Sequence, residues 1–304
     1  MADGWDGRLW EWSPTPVSAP TPVQWTNHVS DQSEIPGRME WDWLFLTRYA
    51  AKSQFDQLRH IPIEGTTSFP SIACLALEGN DFHGSQGRSW RASFGNLHLS
   101  TLIAPNCCPK KKWIGSEWII AASAGIHAGL TATCKNQVAF EIKWMNDVLS
   151  RGQKIAGALT ATDWTGERLN RLVWGIGLNV HTAPSADSNS LGFSPGCLND
   201  LLLNPNPLKD LPENLFWESL MNLLNSLARS YNSVWEAGLK DIYAYYINHA
   251  AFIGQEIHIL DPNTSTVKSG ILEEIKADLT LKIKSAQTGL VETCRQGRLL
   301  KPNR

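Results

Sequence analysis

The sequence predicts an α/β protein in which a larger region of strands and helices is followed by a small all-β region. Between residues 43 and 250, short apolar runs typical of strands are interspersed with stretches whose apolar residues recur every three or four positions, as in helices. Beyond Phe252 only short strand-like runs follow. With 304 residues, 42% of them hydrophobic, the chain can bury a sizeable core.

The elements of the larger region follow from these patterns. Apolar residues at helical spacing between Ile114 and Leu130 predict an amphipathic helix over 114–133, with one apolar side, and similar patterns predict helices over 215–231 and 239–250. Residues 55–60 are predicted to be a helix or a loop, and the five prolines within 183–212 predict a stretch that is mostly loop. Strands are predicted at 43–46, 71–77, 97–103, 138–143, 155–163 and 171–180, the last two joined as a hairpin through Thr165 and Gly166.

The ends of the chain differ from this middle. Strands are predicted at 256–260, 267–275, 279–284 and 290–295, which together indicate a small β-barrel-like module. Residues 1–38 combine tryptophans with repeated prolines, which exclude regular helix and central strand, and predict an extension that is flexible or docks through its tryptophans. We therefore expect three parts, residues 1–38, 39–250 and 251–304.

Composition excludes several functional classes. A formal net charge of −2 gives no electrostatic footprint for nucleic acid, and the sequence contains neither a secretory signal nor an apolar run long enough to span a membrane. The six cysteines show no metal-binding spacing, so reduced thiols in a cytoplasmic protein are expected. We therefore expect no DNA or membrane partner and no protein-bound metal site.

Three ordered segments carry most of the functional information. They begin with Lys143-Trp144-Met145-Asn146-Asp147, continue with a Lys-Ile-Ala-Gly run from Lys154 to Gly157, and end with a Gly-Ile-Gly-Leu-Asn-Val run from Gly175 through Asn179 to Val180. Polar residues interleaved with apolar strands are predicted to project from strand ends into one shared pocket.

These residue types suit the activation of a carboxylic acid by ATP, because that reaction brings a carboxylate against a polyanion and requires fixed positive charge. Lys154 follows a probable turn and opens an apolar strand, so its ammonium is predicted to lie at a strand mouth. Gly157 leaves room for a close approach. Asn146 and Asp147 are compatible with ordinary turn chemistry or with a nucleotide site, where a carboxylate could help hold Mg²⁺ through water.

A glycine-containing loop precedes these segments. Residues 82–90 include Gly84, Gly87, Arg88 and Trp90, and Asn96 follows in a Gly-Asn-Leu-His-Leu-Ser run. Backbone N–H groups of such a loop can bind an anion.

Together these segments resemble the biotin protein ligase family, whose core carries Lys-Trp-Pro-Asn-Asp, Lys-(Ile/Leu)-Ala-Gly and Gly-Ile-Gly-(Leu/Ile)-Asn-Val in this order. The resemblance implies a biotin/lipoate ligase-like domain with a mixed sheet and flanking helices, an SH3-like C-terminal domain, and a form without an N-terminal DNA-binding domain. It also implies that Lys154 contacts the biotin carboxylate and the α-phosphate. The residues implied to bind biotin or the adenylate are Gly84, Gly87, Arg88, Trp90, Asn96, Lys143, Trp144, Asn146, Asp147, Gly157 and Asn179.

The sequence departs from the family pattern in the loop and in the first helix. The family loop reads Gly-Arg-Gly-Arg-x-Gly-Arg-x-Trp, whereas Phe82, His83 and Ser85 replace the leading glycine and the first two arginines. Neither serine nor neutral histidine replaces a bidentate guanidinium, so a weaker hold on the intermediate is expected. The family's Ser-Thr-Asn motif at its first helix is reduced to Thr47 at most.

The resemblance implies ligation of biotin to a lysine of a biotin carboxyl carrier protein through biotinoyl-AMP, with ATP, Mg²⁺ and biotin as reactants. The protein would act as a monomer or a homodimer. A lipoate or octanoate ligase or transferase of the same fold is the alternative enzyme. A noncatalytic relative that binds an adenylate or a carrier is the alternative outside catalysis.

Overall fold

The computed structural model describes residues 23–24, 38–63, 69–105, 115–185, 192–203, 214–261, 264–285 and 287–300. Within these ranges no helix combines the length and the apolar character needed to cross a membrane. The tryptophans of the N-terminal extension, Ile114, Cys107 and Cys108 lie outside the described residues. Cys74, Cys134, Cys197 and Cys294 are free thiols.

A mixed eight-stranded sheet forms the larger region, as the sequence predicted. Its strands lie in the order β1-β2-β3-β4-β8-β7-β6-β5, and all pairs are antiparallel except β2 with β3. The strands are β1 (Val23–Gln24), β2 (Trp43–Ala50), β3 (Ile72–Gly79), β4 (Leu97–Ile103), β5 (Glu141–Lys143), β6 (Asp147–Ser150), β7 (Gln153–Thr165) and β8 (Arg168–Leu178).

Within the described residues, five α-helices accompany this sheet, and one of them occupies the centre of the core. They are α1 (Gln54–Arg59), α2 (Glu117–Thr133), α3 (Leu198–Leu203), α4 (Leu215–Ala237) and α5 (Leu239–Asn248). Helix α2 is buried on nearly all sides because α4 packs against it where Gly125 and Gly129 allow close approach to Leu227 and Leu223. The expected one-sided helix is therefore a central one.

Aromatic residues join α2, α4 and the sheet. Trp118 stacks on Tyr231 with ring centroids 5.0 Å apart and lies 6.5 Å from Trp174 of β8. The indole N–H of Trp174 donates to the Trp118 carbonyl at 3.1 Å. Both tryptophans are almost fully buried, so this cluster fixes the helix layer against the middle of the sheet.

A second, antiparallel sheet follows near the C-terminus and fits the predicted small β domain. Its order is β12-β11-β10-β9-β13. The strands are β9 (Glu256–Leu260), β10 (Val267–Ile275), β11 (Leu281–Ser285), β12 (Val291–Cys294) and β13 (Arg298–Leu300). Its apolar residues belong to the same hydrophobic core as those of the first sheet.

Three side chains of the larger region bind the turn between β10 and β11. The hydroxyl of Ser116 donates to the Ala277 carbonyl at 2.6 Å, and the indole of Trp144 donates to the Leu279 carbonyl at 2.8 Å. The phenol of Tyr243 donates to the carbonyl of Ile275 at 2.7 Å. These bonds hold the second sheet in one position against the first.

The structure corrects several predicted elements. Residues 138–140 are not part of the strand predicted over 138–143, whereas β6, β13 and helix α3 were not predicted as elements. The N-terminal extension also contributes β1, which pairs Val23 with Leu44. These elements have two to six residues, too few to show a helical or strand period in the sequence.

His127 of α2 is buried and neutral. Its Nε2 lies 3.0 Å from the Phe140 carbonyl and must donate, so Nδ1 accepts from the Tyr245 hydroxyl at 2.8 Å. Burial, opposed by the hydrogen bond to Phe140 and assisted by the nearby His249, lowers the pKa of His127 from 6.5 to about 4. In the neutral ring, both nitrogens of His127 are therefore hydrogen-bonded.

We expect the free energy of unfolding to fall as the pH drops from 6.5 towards 4, because the unfolded chain takes up a proton at His127 that the folded chain refuses. His127→Gln should flatten this slope by up to about 1.4 kcal/mol per pH unit. Denaturant unfolding at several pH values measures it, with the exposed His60→Gln as the matched control. An unchanged slope in His127→Gln would contradict the assignment.

Candidate functional site

A cavity of about 750 Å³ opens above the middle of the large sheet and fits a small-molecule ligand. Its floor is formed by β4, β7 and β8, and the segment 82–91 forms one wall. The charged side chains among its described lining residues are Arg88, Arg91, Lys154, Arg298 and Asp147. Because four of these are cationic, the cavity favours an anionic ligand.

The strand register explains why the separate sequence segments meet here. Lys143 pairs with Asp147, Asp147 with Gly157, and Gly157 with Gly177 across β5, β6, β7 and β8. Gly177 in turn pairs with His98 of β4. One row across five neighbouring strands therefore carries residues from the three ordered segments and from the Gly-Asn-Leu-His-Leu-Ser run.

Asp147 lies between two lysines at one end of this row. Its Oδ1 is 2.6 Å from the Lys154 ammonium, and its Oδ2 is 2.9 Å from that of Lys143. Burial alone raises the pKa of Asp147, but the charges of Lys143 and Lys154 and their hydrogen bonds outweigh it and lower the pKa far below its usual range. The carboxylate is therefore ionised, and its single negative charge faces the positive charges of the two lysines.

Lys143 and Lys154 differ in their access to the cavity. The Lys143 side chain is 10% exposed, and burial lowers its pKa against the opposing effect of Asp147. The Lys154 side chain is 27% exposed and its ammonium lies 5.6 Å from the centre of the Trp90 ring. Lys154 thus faces the cavity, whereas Lys143 supports Asp147 from behind.

The backbone around Lys154 fixes its position. Arg151 and Gly152 have positive φ values of 49° and 69°, which form the tight turn between β6 and β7 predicted before Lys154. The N–H of Lys154 donates to Ser194 at 2.8 Å, and its carbonyl accepts from Gly196 at 2.9 Å. Lys154 is therefore held between a hairpin and a neighbouring loop.

The glycines of this row make room for side chains of the protein itself. A Cβ on Gly157 would lie 2.9 Å from Asp147 Oδ1 and 3.1 Å from the Lys154 ammonium. A Cβ on Gly177 would collide with the indole of Trp90, and one on Gly175 would lie 2.9 Å from the Phe55 ring. Aromatic side chains of the protein therefore cover Gly175 and Gly177.

The loop 82–90 is folded by contacts of its own. The guanidinium of Arg88 donates to the Ser85 hydroxyl at 2.7 Å and to the Ser85 carbonyl at 3.1 Å. His83 Nε2 lies 2.7 Å from Asp56 of α1.

The end of the loop is bound to His98 of β4. The indole of Trp90 donates to His98 Nδ1 at 3.2 Å, and His98 Nε2 donates to the Ser93 carbonyl. His98 is therefore neutral, and burial lowers its pKa to about 4.

The three predicted asparagines have different surroundings. Asn146 donates to the Ala158 carbonyl at 2.6 Å, and Asn179 donates to that of Gly196 at 2.9 Å. The buried Oδ1 of Asn179 has no hydrogen-bond partner among the described residues, and Asn179 is one of the residues that line the cavity. Asn96 instead accepts from the backbone N–H groups of residues 180–182 and shapes the loop after β8.

The cavity therefore collects most of the predicted site residues. Those lining it are Gly84, Arg88, Trp90, Asn146, Asp147, Lys154, Gly157 and Asn179. Gly87, Asn96, Lys143 and Trp144 do not line it, and Trp144 binds the second sheet instead.

Several lining residues were not singled out from the sequence. Arg298 comes from β13, and Phe193 comes from the loop before α3. Phe55 and His98 line the cavity beside Gly175 and Trp90. A histidine inside the Gly-Asn-Leu-His-Leu-Ser run offered a signal, because the segment itself was recognised; Arg298 offered none.

The described residues do not form a protein-bound metal site. No group of three or more His, Cys, Asp or Glu side chains that could hold an ion occurs within them. Both oxygens of Asp147 are already bound by lysines, so this carboxylate does not fit the suggested role of holding Mg²⁺.

Comparisons with known proteins agree with this fold. Residues 78–179 match the model of the Biotin/lipoate A/B protein ligase family. A biotin–[acetyl-CoA-carboxylase] ligase of Paracoccus denitrificans is 29% identical over 121 residues, which is 40% of this chain and 49% of the relative. The chain thus matches about half the length of that curated relative.

Solved structures show the same fold at lower identity. The biotin protein ligase of Aquifex aeolicus in complex with biotin and ATP has a TM-score of 0.62 and 18% identity, covering 84% of this chain and 97% of that one. The ligase of Leishmania major in complex with biotinyl-5-AMP has a TM-score of 0.51 and 17% identity, covering 83% and 98%.

Residues 78–179, the part of the chain that matches the Biotin/lipoate A/B protein ligase family, contain the cavity floor and the loop. The curated relative and the solved structures that the chain resembles are biotin protein ligases. The fold expected from the sequence is confirmed, and the matched family model and relatives agree with the expected family.

Asp147→Asn should lower the free energy of unfolding by about 3–5 kcal/mol, because it leaves the buried Lys143 without its counter-charge. Denaturant unfolding measures the change. Adding Lys143→Met should restore part of it, since the uncompensated charge is then removed. Glu292→Gln breaks the exposed pair with Lys268 and should change stability by less than about 1 kcal/mol. Equal effects of Asp147→Asn and Glu292→Gln would contradict a stabilising role of the buried triad.

Proposed function

We propose that this protein ligates biotin to a lysine of a biotin carboxyl carrier protein or domain, using MgATP. The observation that carries the proposal is the Lys154 ammonium, which is held by Asp147 at the edge of a cationic cavity in a fold shared with biotin protein ligases. The names of the matched relatives support biotin as the acid.

The reaction proceeds in two transfers. A carboxylate oxygen of biotin attacks the α-phosphorus of ATP, and pyrophosphate leaves with the electron pair of the broken P–O bond. The neutral amine of the carrier lysine then attacks the carbonyl carbon of biotinoyl-AMP, AMP leaves with the electron pair of the broken C–O bond, and the nitrogen releases one proton to the solvent as the amide forms. The protein contributes positioning and charge stabilisation in both transfers.

Lys154 has the central role in this proposal. An ammonium has three donors, and Asp147 uses one of them, so the others can bind the biotin carboxylate and the α-phosphate as these negative groups approach each other. Arg88 lines the same cavity and is proposed to bind phosphate. The free Oδ1 of Asn179 is proposed to accept a hydrogen bond from the adenylate.

The remaining residues position these groups. Trp90 covers Gly177 and limits the cavity, while Lys143 fixes Asp147 and thereby Lys154. We also propose a cytoplasmic protein with a catalytic domain over 39–250, an SH3-like domain over 251–304 and an extension over 1–38. It would function as a monomer or a homodimer.

Biotin should cause release of pyrophosphate from MgATP by the purified protein, followed by biotinylation of a carrier domain. Lipoate and octanoate, tested in parallel, separate the alternative enzymes of this fold. If pyrophosphate is released with octanoate or lipoate but not with biotin, then that acid and not biotin is the substrate. No release with any of the three acids, with MgATP or a carrier still bound, would establish the noncatalytic alternative, which the exchange of two loop arginines for His83 and Ser85 favours.

Lys154→Ala should reduce biotin-dependent pyrophosphate release on the order of 10²-fold or more, because it removes positive charge where the two anionic groups meet. The fold should persist, since Lys143 still pairs with Asp147. Lys52→Ala removes an exposed lysine outside the cavity and serves as the control. Pyrophosphate release by Lys154→Ala at the rate of the unmodified protein would refute the role of this lysine.

A further inference from the structure

Arg298 brings a guanidinium from the second sheet into the cavity of the first. It lies on β13, where it pairs with Leu260 of β9, and its side chain lines the cavity together with Arg88. We propose that Arg298 binds the polyphosphate of the nucleotide and takes the place of a guanidinium that the loop lacks at Ser85. This inference rests on the proposed function and adds a nucleotide-binding residue to it.

The local packing gives the Arg298 side chain a defined path. A Cβ on Gly192 would collide with the guanidinium of Arg298, so the absence of a side chain there makes room for it. Gly297 precedes Arg298 with a φ of 148° and would press a Cβ against Ile259. Glycines therefore allow both the approach of β13 to β9 and the entry of the guanidinium into the cavity.

The charges around Arg298 indicate an anionic ligand. Within the described part of the chain, its guanidinium makes no hydrogen bond or ion pair, although the side chain is partly buried. Burial lowers the pKa of Arg298, and the charge of Arg88 lowers it further, while Asp147 opposes both. Two neighbouring guanidinium groups repel each other until an anion binds between them, and a polyphosphate has the charge to do so.

The second sheet is fixed firmly enough to position this residue. Trp144, Ser116 and Tyr243 donate hydrogen bonds to carbonyls in the stretch from Ile275 to Leu279. Trp144 belongs to the same sequence segment as Lys143 and Asp147. The segment therefore supports the cavity from two sides, because its charged residues hold Lys154 and its tryptophan holds the sheet that carries Arg298.

Serine at position 85 is compatible with this arrangement. The hydroxyl of Ser85 accepts a hydrogen bond from the guanidinium of Arg88 and thereby holds that side chain against the loop. The loop contains one arginine, whereas the family pattern has three. The guanidinium of Arg298, which enters the cavity from β13, restores part of the positive charge that the loop lacks, although it does not belong to the loop.

Arg298→Gln should raise the Kd of MgATP and the KM for ATP on the order of ten- to a hundredfold, because one charge-assisted contact to phosphate is lost. At saturating ATP the kcat should change much less. Calorimetric titration with MgATP measures binding, and biotin-dependent pyrophosphate release measures the kinetic constants. Arg295→Gln is the matched control, since Arg295 is exposed, precedes β13 and does not line the cavity.

The substitution Ser85→Arg in the Arg298→Gln protein tests the replacement directly. It should recover at least part of the lost MgATP affinity, because it returns a guanidinium to the loop. Equal affinities of the Arg298→Gln and unmodified proteins would overturn the inference, and a loss that Ser85→Arg does not restore would overturn the replacement. Thermal unfolding of each variant separates a binding defect from misfolding.

The same measurements distinguish this inference from the proposed function. If the unmodified protein binds MgATP but releases no pyrophosphate with biotin, the proposed function fails while the comparison of Kd values still decides the role of Arg298. If the unmodified protein does not bind MgATP, both are wrong.

Discussion

The buried triad of Lys143, Asp147 and Lys154 is the interaction on which the site depends. A carboxylate enclosed this deeply requires counter-charges, and two lysines bound to its two oxygens supply them. The excess positive charge lies on Lys154, which reaches the cavity. The same ion pairs that stabilise the strand ends therefore leave an ammonium oriented towards a ligand before any ligand arrives.

Cross-strand register turns this local arrangement into a complete cavity. The row from Lys143 to His98 runs over five strands, and its two glycines lie between the charged end and the histidine. Trp90 covers Gly177 and its indole donates a hydrogen bond to His98, so the neutral histidine at the other end of the row fixes the position of Trp90 in the cavity wall. Because side chains on one strand alternate between faces, a shift of one residue in any of these pairs would separate the wall from the cations.

The sequence indicated which residues meet at the cavity better than it indicated the short elements around them. Lys154, Asp147 and Asn179 lie within recognisable runs, and strands with a long period-two pattern, such as β7 and β10, were placed within two residues at each end. Short elements such as β6 and β13 carry no measurable period, and α2 lost its one-sided character because a second helix layer covers it. The sequence grouped Trp144 with the site, whereas its indole binds the Leu279 carbonyl of the second region. That partner lies 135 residues away, so no local pattern indicates the contact.

The loop and the second sheet show why residue-by-residue comparison of a motif underestimates what a fold can supply. Two missing arginines indicate a weaker hold on phosphate when the loop is considered alone. In the folded chain, His83 binds Asp56 and Ser85 binds Arg88, so these residues order the loop through the protein itself. Positive charge can then come from another element, because an anion responds to the position of a guanidinium and not to the strand or loop that carries it.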